Sequence, residues 1–284
     1  MSLLILPTQL FNISIIGDVV NEHQIKQIFI IEEPRYFTDF KFHKLKLAYH
    51  RATMKKYYDM IKKKFKTNYI NFDNLNDFYK NNKKTKIIIF DPIDHKLHKS
   101  IKKHFSNNTF IDNPNFLLSR NDIKENIHLF YNKKTNKYSH DKFYKFQRKK
   151  LDILMNNNKP EGGKWSYDNL NRDPLTKKIQ IPSMPKKINN KYSKEAIIYV
   201  NKNFKSNYGS LDNFIYPIDR KSSLKWLKIF LEERLSNYGK YQDAVDTKHP
   251  FVFHSILSPM MNIGLITDTD VIKISKKYYL KNKG

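Results

Sequence analysis

The 284 residues carry 53 Lys and Arg against 27 Asp and Glu, a formal net charge of +26, with 39% apolar residues and no cysteine. That is chain enough for one large domain or two modest ones with a real core. The missing Cys excludes disulfides, thiolate-bound zinc and an iron–sulfur cluster within this chain, which is compatible with an intracellular, reducing setting. No uncharged stretch reaches the length of a membrane span, and the N-terminal MSLLILPTQL, lacking a basic leader and broken by Pro7, reads as a buried first strand. The cations are overwhelmingly Lys, with only seven Arg. Two readings of that charge stand side by side: attraction to a polyanion, most simply DNA, and an AT-rich coding bias spread over a solvated surface. Lys meets phosphate as a point charge and Arg is the better base reader, so any DNA binding should be salt-sensitive and weakly sequence-specific.

In chain order, short apolar runs at Leu3–Leu6, Gln27–Ile31, Asn68–Phe72, Lys86–Phe90 and Asn108–Ile111 predict strands buried on both faces. Between them Thr38–Phe65 has helical spacing, with Met54, Tyr58, Ile61 and Phe65 on one stripe. Asn74–Tyr79 and Asp94–Phe105 predict shorter helices. Strand–helix alternation predicts a parallel sheet with helices on both faces. Gly17 is the only glycine before residue 162, so no dinucleotide-binding glycine loop exists. His95 and His98 share a predicted helix face near Asp91 and Asp94, a weak metal pattern. A basic helix is predicted from His140 to about Met155, facing either solvent or a phosphate backbone. A Pro-rich crossing follows, with Pro174, Pro182 and Pro185. The remainder reads as helical. Ala196, Val200 and Phe204 share one stripe. Ser222 or Ser223 caps a helix bearing Leu224, Leu227, Leu231, Leu235 and Tyr238, and Gly239 stops it. A last helix is predicted within His254–Met260, kinked or started at Pro259.

Pro160-Glu161-Gly162-Gly163-Lys164-Trp165-Ser166-Tyr167-Asp168, followed by Asn171-Arg172, combines a glycine turn with a large flat anchor. This stretch resembles the linker of the deoxyribodipyrimidine photolyase-related proteins. They are a branch of the photolyase/cryptochrome superfamily that includes bacterial iron–sulfur photolyases of six-four photoproducts. Glu33-Pro34-Arg35-Tyr36-Phe37, Phe42–Leu47, His50–Met54 and Phe90-Asp91-Pro92-Ile93-Asp94 are similar to segments of the family's N-terminal domain. Tyr241-Gln242-Asp243-Ala244, Phe253–Pro259 and Asn262-Ile263-Gly264-Leu265 resemble the segment that begins its flavin pocket.

The resemblance implies an α/β, Rossmann-like, antenna-type domain over residues 1–130, a linker with a helix over 131–190, and the start of an all-helical FAD-binding domain over 191–284. It places Gln9, Leu10 and Glu33 around an antenna chromophore, although Pro7-Thr8 stand where the family often has Gly-Asp. It places Tyr241, Ser255, Leu257, Ser258 and Asn262 at part of an FAD site, where hydroxyls at a helix start suit phosphate oxygens. The rest of the family's flavin cradle, its electron-relay aromatics, its iron–sulfur cysteines and most of its DNA cleft would lie beyond Leu265. The expectation is therefore a photolyase-related chain with no catalytic residue of its own, silent unless a second polypeptide completes the flavin domain. The alternatives are a half-enzyme complemented in trans and a nucleic-acid binder that has lost photochemistry.

Overall fold

The computed structural model describes residues 1–282. Its chain divides into two compact units that interleave along the sequence. The first comprises residues 1–115, 185–227 and 256–268, and the second comprises 116–184, 228–255 and the residues from 269 onward.

The first unit is built on a parallel sheet of β1 (Ser2–Ile5), β2 (Gln27–Ile31), β3 (Thr67–Ile70), β4 (Ile87–Phe90) and β5 (Asn108–Ile111), ordered β3-β2-β1-β4-β5. β1 and β4 are buried along their whole length while β3 and β5 are partly solvated, as expected for central and edge strands. Helices α1 (Ile13–Glu22), α2 (Pro34–Phe37), α3 (Lys44–Ile61), α4 (Leu75–Asn82) and α5 (His95–His104) connect the strands. One core layer joins Leu4, Leu6, Phe29 and Ile89 to Phe78, Leu97, Ile101 and Phe105.

Several predicted boundaries move. The long helix expected from Thr38 starts at Lys44, because the Pro34 turn ends at Thr38 and the His43 imidazole caps α3 by accepting the Leu45 N–H (3.0 Å). Its buried face runs through Leu47, Met54, Tyr57 and Ile61, while Tyr58 and Phe65 are only half-buried. α1 was not predicted at all: its Ile/Val-rich run around Gly17 has poor intrinsic helix propensity, and burial of Ile16 and Val19 overrides it.

The second unit contains α6 (Arg120–Asn126), a hairpin of β6 (Tyr131–Asn132) and β7 (Lys137–Tyr138), α7 (His140–Lys150) and a second hairpin of β8 (Met155–Asn156) and β9 (Lys159–Pro160). α7 begins where Ser139 accepts the Lys142 N–H (3.3 Å) and ends at Lys150, short of the expected Met155. The Trp165 indole has Lys145, Arg148 and Lys149 at 5.8, 5.4 and 5.7 Å from a ring of its own. Gly162 and Gly163 both adopt positive φ, which the expected tight turn requires.

α8 (Lys191–Asn203) returns to the first unit, where Ala196 and Val200 pack along α3 and Phe204 terminates the helix. α9 (Arg220–Glu233) starts two residues before the expected Ser222 cap. Asp219 takes that role, its Oδ1 accepting the Ser222 N–H (2.9 Å), and the Ser223 hydroxyl donates back to the Asp219 carbonyl (2.8 Å). Arg234 breaks the helix, so Leu235 and Tyr238 fall in a separate turn, α10 (Leu235–Tyr238). The last helices are α11 (Ser258–Asn262) and α12 (Asp268–Lys281). No helix among the described residues is long and apolar enough to cross a membrane.

Candidate functional site

The winding direction of the sheet reverses between β1 and β4, and ligands of open α/β sheets sit beyond the carboxyl ends of the strands at such a point. Gln9 occupies it. Fully buried, it donates from Nε2 to the Phe90 carbonyl ending β4 (2.7 Å) and accepts the Leu6 N–H after β1 at Oε1 (3.2 Å). The amide thus staples two diverging strands. Leu10 is also buried and donates its N–H to the Ile263 carbonyl (2.9 Å).

Glu33, just past β2, is 5% exposed and accepts the Tyr79 hydroxyl at Oε2 (2.6 Å). Burial raises its pKa, opposed by the Tyr79 hydroxyl and the Arg35 N–H. The three residues assigned to the antenna therefore share the carboxyl end of the sheet, and each is also bound to protein.

Around them lie groups that sequence patterning did not single out. The Thr8 and Tyr36 hydroxyls are 3.1 Å apart. Arg35 bridges Asp94 (2.9 Å) and Asp39 (3.2 Å), and Asp94 also caps α5 by accepting the Leu97 N–H. Asp94 is so engaged, His98 stacks on Phe110 at 3.9 Å, His95 is exposed, and no metal-binding cluster occurs among the described residues.

His50 is the least ordinary member. It is 4% exposed, between the rings of Tyr36 (5.8 Å) and Phe37 (5.9 Å), and its Nδ1 has no hydrogen-bond partner. Burial, with Lys46 nearby, lowers its pKa to about 3 against a smaller opposing pull from the Pro7 carbonyl, so the imidazole is neutral at pH 7. Only its place in an otherwise apolar helical face signalled this in the sequence.

The flavin-type residues divide between the units. Tyr241, whose ring lies 5.4 Å from that of Phe253, and the half-buried Ser255 belong to the second unit. Leu257, Ser258 and Asn262 belong to the first, with Leu257 buried and the other two exposed. Of the two expected forms of the last segment, the one that starts beside Pro259 is observed, and residues 254–257 are not helical. Val252 and Ile256 adopt φ of +42° and +52°, and α11 is a five-residue turn opened by Ser258 and Pro259. A turn that short offers little of the aligned peptide dipole that favours anions at a helix start.

Gly264 explains part of the Asn262-Ile263-Gly264-Leu265 pattern. It sits at φ +84°, and a Cβ there would meet the Phe11 ring at 2.8 Å and the Leu10 nitrogen at 3.2 Å. Glycine lets residues 262–265 lie directly on the loop that follows β1. Gly264→Ala is expected to destabilise the protein by about 1–3 kcal/mol from the left-handed backbone alone, read as a lower urea midpoint. An unchanged midpoint would mean that this loop contact contributes nothing.

Comparison with known proteins adds ancestry to this geometry. A family model described as deoxyribodipyrimidine photo-lyase-related protein matches residues 3–216. A (6-4) photolyase from Agrobacterium fabrum (strain C58 / ATCC 33970) is 36% identical over 137 residues, 48% of this chain and 27% of that enzyme. In Acanthamoeba polyphaga mimivirus, uncharacterized protein R852 is 34% identical over 192 residues, 62% of this chain and 96% of the viral protein. A separate viral polypeptide, uncharacterized protein R853, is 46% identical over 43 residues, 15% of this chain and 33% of its own length. The match therefore spans about a quarter of the bacterial photolyase and nearly all of the first viral relative.

Proposed function

This chain belongs to the deoxyribodipyrimidine photo-lyase-related protein family, and from that premise we propose that it is the antenna-side part of a light-driven DNA-repair flavoprotein. In this reading a second polypeptide shares the flavin cradle. The observation that carries the reading is the family match over residues 3–216. Within the first unit, Ser258 and Asn262 are exposed on a single turn. A hydroxyl and an amide there suit phosphate oxygens of FAD. When bound, FAD supplies the electron for repair of a DNA lesion taken out of the base stack. The part of this chain is to orient the cofactor. Gln9, Leu10 and Glu33 would edge an antenna chromophore at the sheet's carboxyl end.

The two separate viral relatives support a division of labour between polypeptides. The absorption spectrum of the chain purified with added FAD tests the reading. Substoichiometric flavin is expected, and one tightly held FAD per chain would end the proposal. The net charge of +26 favours a second reading, a basic nucleic-acid binder without photochemistry. A salt titration with undamaged duplex DNA separates the two, because that role requires affinity at low salt without flavin.

A further inference from the structure

The second unit holds a half-open cavity of about 270 Å³ that neither the antenna nor the flavin reading uses. Its walls are Leu118, Ile123 and Ile127 on one side and Phe130, Phe143 and Phe146 on the other. Phe130 sets its shape by meeting Phe143 and Phe146 edge-on at 5.3 and 5.2 Å, interplanar angles 87° and 67°. The space beside these aromatic rings exceeds the roughly 150 Å³ that accommodates benzene in an engineered apolar cavity, which leaves room for about two fused rings. The mouth is apolar too. Ile123 and Tyr138 remain 45% and 57% exposed, and Phe143 37%, a cost that a ligand would relieve.

The rim, unlike the walls, carries hydrogen-bonding groups. Asn126 spends its amide N–H on the Asp122 carbonyl (2.8 Å), which turns its carbonyl oxygen into an acceptor for something else. Tyr138 and His140, both exposed, also line the cavity. The other lining polar groups are already committed: Asp122 to Lys150 and to the cap of α6, and Ser139 to the cap of α7.

We propose that this cavity is a binding site for a small, planar, uncharged heteroaromatic molecule of about two fused rings. The rings lie between the aliphatic and aromatic walls, and a ring heteroatom faces Tyr138 and His140. A charged ligand is disfavoured, because the walls offer no counter-charge to compensate its desolvation.

The site is tested on the full chain with quinoline as probe and naphthalene as its carbon-only analogue, followed by methyl NMR of the isoleucines. Saturable shifts confined to Ile123 and Ile127 are expected, with naphthalene binding about three- to tenfold more weakly for want of one hydrogen bond. Ile127→Trp, which fills the mouth, should weaken quinoline at least about tenfold. Absence of saturable shifts, or shifts centred on other isoleucines, overturns the site. Equal affinity for both probes overturns the heteroatom contact. The wild-type map decides the matter even where the Trp variant folds poorly. Because it uses no flavin, its outcome is independent of the photolyase reading.

Discussion

Arg51→Met should cost about 3–5 kcal/mol of stability, the range observed when one partner of a buried ion pair is removed. The guanidinium is bound on every side. It is paired with Glu32, which is fully buried, and donates to Asn71 (3.1 Å) and to Glu195 through Nε (3.1 Å) and Nη2 (2.7 Å). It also lies 4.1 Å over the Tyr199 ring. Burial alone would lower its pKa, but the hydrogen bonds to Glu195 and the charge of Glu32 outweigh this and raise it. Removing the cation leaves Glu32 with the Tyr69 hydroxyl (2.6 Å) and the Phe72 N–H (3.0 Å), a buried charge that has lost its paired counter-ion and keeps only the more distant pull of Lys55. The same step releases α8, since Glu195 and Tyr199 both lie on it. A double-mutant cycle separates the two losses. Adding Glu32→Gln to Arg51→Met should recover much of the stability, because the stranded charge is the larger part of the cost. Additive losses in that cycle, or a single-mutant cost below about 1 kcal/mol, would mean that the network is no more than a surface pair.

That network also marks where reading the sequence stopped. The five strands were legible because each is a short apolar run that only a sheet buried on both faces can use, and all five occur near their expected positions. α1 was not, because Gly17 and neighbouring β-branched residues argue against a helix, and the reason for one, burial of Ile16 and Val19 against the sheet, is tertiary. The α9 cap was misplaced by three residues because Asp219 and Ser222 are both good caps, and only the observed bond from the Ser222 N–H to Asp219 decides between them. At the candidate site, Gln9, Leu10 and Glu33 were reachable through resemblance to a family. Periodicity could not have found their partners, for Phe90, Ile263 and Tyr79 lie far away in sequence. His50 and Arg51 were quoted as part of a family segment, yet Arg51 is held by Glu195 on α8, more than a hundred positions away, and His50 by the rings of Tyr36 and Phe37.

Acid should loosen the first unit through His50. The imidazole has an ordinary pKa of 6.5 in an unfolded chain and about 3 in the fold, so between these values the unfolded state binds a proton that the native state refuses. Stability contributed by neutral His50 is complete above pH 6.5 and is lost as the pH falls, at about 1.4 kcal/mol per pH unit. The charged groups that bear on the ring include Lys46, whose positive charge reinforces the lowering, while the Pro7 carbonyl opposes it. Carboxylates elsewhere also titrate in this range, so the comparison must be differential. His50→Phe keeps an aromatic ring against Tyr36 and Phe37 but cannot take up a proton. At pH 7 the variant is expected to be the less stable by about 1 kcal/mol, for loss of the Pro7 hydrogen bond. On acidification from pH 6.5 to 4.5 the wild type should lose about 2–3 kcal/mol relative to it, inverting their order in urea titrations at matched ionic strength. Parallel pH profiles for the two proteins would show that His50 reaches solvent and titrates normally. The ring between Tyr36 and Phe37 would then be a surface group, and its unpartnered Nδ1 would say nothing about a ligand at the end of the sheet.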